Sequence, residues 1–256
     1  MDVCMYDIEM HEMSAEFFNC WKAAGLHLDK QVDGGINFWL RAHPYPPFLE
    51  HLSFRLGNQL FFVRIEDVDG EIDGPGTLHG LSSVTKGTNG NACILPMKRN
   101  LAAGSWEPEF SGWGLVDAFT RQPLNPVHLV TEKKIEMTKW ELHDMAVQVV
   151  RDSIQKDGFQ LMTSQGNPEV DPSIWFVGKT QKPEWVVVRA VKYPENQAER
   201  PANWNDIAKS CSRLSPTGHF ASVAVCSGDQ PFLSNEEAPV PLWRGHSMHV
   251  RFTGLT

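Results

Sequence analysis

The chain has 256 residues, 41% of them apolar and 21% charged, with a net charge of −8; that is a globular composition, with room for one decorated domain or two small ones. No apolar run approaches the roughly 18 residues a membrane span needs, and the opening MDVCMYDIEMHEM has acids where a signal peptide would be basic. Five scattered cysteines (Cys4, Cys20, Cys93, Cys211, Cys226) include no CxxC pair, which argues against a disulfide framework or a cysteine zinc site and for reduced, buried thiols in a cytoplasmic protein.

Residues 1–120 hold 8 Lys and Arg against 16 Asp and Glu, whereas residues 121–256 hold 15 of each, so the first half carries the entire acidic excess. A protein that tracks phosphates shows a basic stripe. None is visible, and weak or no nucleic-acid binding is expected, which leaves a protein or a nucleotide as a candidate partner.

In chain order, spacing predicts a first helix over 14–24, with Ser14 as N-cap, an apolar stripe of Phe17, Cys20, Trp21 and Ala24, and Gly25 as its stop. HPYPP at 43–47 reads as a rigid turn, and 59–66 as a buried strand following a short helix or loop. The Gly- and acid-rich stretch 69–91 reads as loops, and so does the region around Trp106 and Trp113. A strong helical pattern follows Thr138, with Leu142, Met145, Ala146, Val149, Val150 and Ile154 on one face and Gly158 at the stop. Strands are expected over 159–164, 173–177 and 184–193, a helix over 205–213, and strands over 219–226 and 248–253. Three strands in a row are most simply a meander, and the next helix allows a crossover into a mixed sheet. No internal repeat stands out.

Two polar residues sit at telling places in this order. Asp171 stands in NPEVDPSIWF before the second strand, and Lys192 ends the third, EWVVVRAVKYP. From about Thr138 to Ser227 the chain resembles the PD-(D/E)XK, or restriction-endonuclease-like, nucleases. Their core runs αβββαβ, with an acid at the second strand and an acid and a lysine two residues apart on the third. The resemblance implies that Asp171 and Lys192 are the first acid and the lysine, and that Glu141, on the first helix, completes a Mg²⁺ site. The second acid is missing, because Ala190 stands two residues before Lys192. In such a site carboxylates hold the metal and the lysine orients or deprotonates the attacking water.

A hairpin centred between Thr180 and Gln181 pairs residues whose numbers sum to 361, which sets Asp171 opposite Ala190 with Lys192 as its diagonal neighbour. Glu184 is about 26 Å along the strand from Lys192, too far to supply the missing acid. Each residue also has a purely structural reading. Thr138 and Glu141 fit a T-x-x-E capping box, Asp171 before Pro172 fits a turn, and Lys192 fits a solvated strand end. EDVDGEIDG fails as a calcium loop, because counting from Asp67 puts Ile72 where glycine is needed and Leu78 where glutamate is needed. His246 and His249 fall on opposite faces of a strand.

These features give a mixed α/β protein with a restriction-endonuclease-like core at 125–256 and an acidic N-terminal α+β portion at 1–124. Two functions follow from the resemblance. One is a non-catalytic binding or scaffold protein with an incomplete metal site; the other is an active metal-dependent nuclease with an altered site.

Overall fold

The computed structural model describes residues 14–36, 52–74, 77–230, 232 and 238–256; the turn expected at 43–47 and Cys4 lie outside them. The chain divides into two compact units, one spanning Met10–Lys134 and one containing Ile135–Thr256, where the sequence reading drew its line at 124/125.

In the first unit α1 (Ala15–Asp29) starts as expected, with the Ser14 hydroxyl accepting from the Phe17 amide at 3.0 Å. It does not stop at Gly25. Leu28 continues the buried stripe of Phe17, Cys20, Trp21 and Ala24, and burying such a side chain contributes about 1.5–3 kcal/mol, more than one glycine costs. Strands β1 (Leu52–Leu56) and β2 (Gln59–Asp67) form an antiparallel hairpin around Gly57 and Asn58. Helix α2 (Leu78–Thr88) then crosses to β3 (Asn91–Asn100), which runs parallel to β2; β4 (Ser105–Pro108) and β5 (Val116–Asp117) pair antiparallel with β3. One face of this sheet buries Phe54, Phe61, Val63, Cys93, Leu95 and Met97 against α1.

β1 stands where a short helix or loop is expected, and α2, β4 and β5 stand where loops are expected. The α2 sequence LHGLSSVTKGT holds two glycines and four Ser or Thr residues, so its intrinsic helix propensity is poor. Tertiary burial of Leu81 and Val84 holds it, while the hydroxyls of Thr85 and Thr88 donate back to the Leu81 and Val84 carbonyls. The acidic stretch after β2 is a turn organised by Asp67, whose carboxylate accepts from the amides of Asp69, Glu71 and Ile72.

The second unit follows the expected order. Helix α3 (Lys139–Lys156) precedes β6 (Gln160–Ser164), β7 (Ile174–Val177) and β8 (Pro183–Lys192); α4 (Trp204–Cys211), β9 (Gly218–Ser227) and β10 (Met248–Phe252) complete it. The sheet order is β10-β9-β8-β7-β6, antiparallel except for the β8–β9 pair, which is parallel across α4. Trp185, Val187 and Val191 face α4, in a cluster with Trp175, Ile207, Cys211 and Phe220. Alternation turns Val186 and Val188 to the other face of β8, where they are fully buried. Helix α3 lies against β6, β8 and β9. Its buried stripe is Leu142, His143, Ala146, Val147, Val150 and Ile154; Met145 and Val149, expected on that stripe, are half-buried flanks.

The two units thread their chain alike. Each has a helix, an antiparallel hairpin, a crossover helix, a parallel strand and an antiparallel strand; the first adds β5 against β3, and the second adds β6 ahead of its hairpin.

Candidate functional site

The β7–β8 hairpin decides how the three candidate residues relate. Its pairs are Ile174↔Val186, Trp175↔Trp185, Phe176↔Glu184 and Val177↔Pro183, all summing to 360. The expected sum of 361 is therefore corrected by one residue, and a one-residue slip moves every side chain to the other face. The loop causes the slip. Gly178 donates to the Lys182 carbonyl, leaving Lys179, Thr180 and Gln181 as a three-residue turn, with Gln181 at φ +58. Three-residue loops close with a left-handed last residue. Here that residue is neither Gly nor Asn, so composition gives no sign of it.

The observed sum carries Asp171 opposite Arg189 instead of Ala190, and Arg189 is the residue that takes it. Arg189 donates to both Asp171 oxygens, at 2.9 and 2.6 Å. Arg189 shares the α4 face of β8 with Trp185 and Val187, whereas Lys192 and Ala190 fall on the opposite face with Val186 and Val188. Cys211, on α4, feels the Asp171 charge; burial first, then that carboxylate, push its thiol from 9.0 up to about 12.

Lys192 donates to Glu136 at 2.8 Å. Glu141 sits at the start of α3 within a complete capping box: its carboxylate accepts from the Thr138 amide at 2.8 Å and its own amide donates to the Thr138 hydroxyl at 3.2 Å. The same carboxylate accepts from Arg244 Nε at 2.6 Å and Nη2 at 2.9 Å. Each of Glu141, Asp171 and Lys192 thus has its own counter-ion, in Arg244, Arg189 and Glu136 respectively. Glu184, the other acid considered, contacts His219 at 2.6 Å.

This geometry bears on whether Mg²⁺ fits. The ion requires near-octahedral oxygen ligands and gives up its water reluctantly. Both oxygens of Asp171 and both of Glu141 already accept from a guanidinium, and the lysine belongs to the opposite sheet face from the Asp171–Arg189 pair. Among the described residues, no group of three or more His, Cys, Asp or Glu gathers as a metal site would need. The residues as arranged do not fit the ion. Sequence reasoning missed the residues that neutralise the candidates: Arg189, Arg244 and Glu136. Arg189 was within reach of a correct register. Arg244 lies 103 residues from Glu141 and carries no local signal.

Residues 140–256 are similar to a family described as a domain of unknown function (DUF8840). Neither a curated protein nor a solved structure matches the chain. No helix among the described residues is long and apolar enough to cross a membrane.

Proposed function

We propose that the unit containing Ile135–Thr256 is a degenerate restriction-endonuclease-like core that serves as a non-catalytic scaffold for binding a protein partner. The observation that carries this reading is the separation of the candidate site into three ion pairs, with Asp171 neutralised by Arg189 on one face of β8 and Lys192 drawn to Glu136 on the other. The αβββαβ order supports the family half of the reading: α3, a three-stranded meander, a crossover through α4 and a parallel β9. The acidic first half supports a partner other than a phosphate backbone, because duplex binding draws on a surplus of Lys and Arg.

The test is calorimetric and enzymatic. Titrated with Mn²⁺, wild type and Ala190→Glu should bind equally weakly, because position 190 belongs to the opposite sheet face from the Asp171–Arg189 pair. Duplex DNA and RNA should stay intact with Mn²⁺ or Mg²⁺, and duplex affinity at physiological salt should be no tighter than micromolar. Cleavage by wild type that Asp171→Ala abolishes would replace this reading with the altered-site nuclease.

A further inference from the structure

Burying a carboxylate costs several kcal/mol after relaxation unless a cation and further hydrogen bonds repay it. The Glu141 side chain is only 9% exposed and that of Arg244 only 2%. Glu141 accepts from the Thr138 amide with one of its two oxygens and meets Arg244 with both. The guanidinium is delivered by backbone rather than by chance. The Met137 amide donates to the Leu242 carbonyl at 2.8 Å, Glu136 bridges Trp243, and the Arg244 amide donates to the Ile135 carbonyl at 2.9 Å. Residues 242–244 therefore run antiparallel beside 135–137 and end with their charge on the carboxylate that opens α3.

We infer that Glu141 is a cation-binding position shaped for a guanidinium, with Arg244 as its resident cation, and that withdrawing Arg244 opens it to a small guanidinium-type ion from solution. The selectivity follows from the donors. A planar fork with parallel N–H groups matches the two carboxylate oxygens side by side. A divalent ion would want several more oxygens, yet the Thr138 hydroxyl is already engaged by the Glu141 amide. The position the resemblance assigns to a metal ligand therefore holds an organic cation built into the chain. This inference does not depend on the scaffold reading: nuclease activity that requires Asp171 would overturn that reading and leave the Glu141 position unaffected.

The experiment is chemical rescue of the full chain. Arg244→Ala is melted in methylguanidinium chloride and in NaCl of equal ionic strength, beside wild type and the Glu141→Gln/Arg244→Ala double variant. A ligand that binds only the folded form raises Tm, and for a chain of this size each 1 kcal/mol of binding appears as about 2–4 °C. The expected result is a rise of that order for Arg244→Ala alone, with MnCl₂ giving less. If Arg244→Ala does not fold unaided, the readout becomes refolded yield in methylguanidinium against NaCl, with Arg244→Lys as a folded reference that keeps the charge and loses the fork. No rescue, or equal rescue of the double variant, overturns the inference. A larger rise with MnCl₂ than with methylguanidinium overturns its selectivity.

Discussion

The two units share a connectivity and differ in how they fasten it. In the first, α1 is held by an apolar cluster, and its ion pair with the sheet, Glu16–Arg99, is exposed at 38% and 42%. In the second, α3 is closed at its N-terminus by Glu141–Arg244, almost fully buried, and the second strand is tied to the third by Asp171–Arg189, exposed at 11% and 26%. The same path through space can thus be secured by apolar burial with ion pairs left at the surface, or by apolar burial with a pair taken into the interior. The most deeply buried of the pairs, Glu141–Arg244, occurs in the unit whose sequence is similar to the family of unknown function. The pairs of that unit also account for the candidate site, since charges arranged to hold elements together are not available to hold a metal.

The comparison can be broken at either end. Arg244→Ala leaves a buried carboxylate uncompensated and should cost about 3–5 kcal/mol in urea melts. Alkaline pH tests what the units have in common. In the first, burial and then the Asp67 charge push the Cys20 thiol from 9.0 up to about 12, matching Cys211 in the second. A thiol whose folded value is raised contributes stability that is present in full below pH 9 and is lost as pH rises toward 12. Stability should therefore fall above pH 9, and alkylation of both cysteines by iodoacetamide should stay slow until then; ready labelling near neutrality would contradict their burial. Asp171→Asn keeps the shape and removes the charge opposite Arg189, and should cost about 1–3 kcal/mol. Arg99→Ala should change stability by less than about 0.5 kcal/mol, because an exposed pair is screened by water. Equal costs for Arg244→Ala and Arg99→Ala would erase the difference between the units.

How much of this could be read from sequence depended on where the signals lie. The second unit announces itself locally: Thr138 and Glu141 are three apart, Gly158 follows the last helical turn, and β8 carries the apolar run WVVV from Trp185 to Val188. The first unit hides its crossover. Helix α2 is built from residues that prefer turns, and β3 carries Pro96, which argues against a strand when read alone. Both are held by long-range burial, which no window of sequence contains. The shared threading escaped for the same reason: similar paths are built here from dissimilar residues, so no repeat is written in the letters. At the candidate site the residue types were legible and the partnerships were not, because a left-handed Gln181 shifted the register and Arg244 arrives from a distant segment.

Asn58 matters to anyone who wants to cut this protein apart. Its amide nitrogen donates to the Thr131 hydroxyl at 2.8 Å and to the Lys133 carbonyl at 2.7 Å, and its oxygen accepts from the Thr131 amide at 3.1 Å. Val130 fills the space beside Gly57 that any larger residue would claim. A fragment ended at residue 124 would strip this cover from the β1–β2 turn and leave a side-chain amide facing water that it was placed to exclude. One ended after Lys134 keeps the clasp whole. The useful excision point therefore lies ten residues beyond the 124/125 boundary drawn from the resemblance, and an amide on a turn near the start of the sheet marks it.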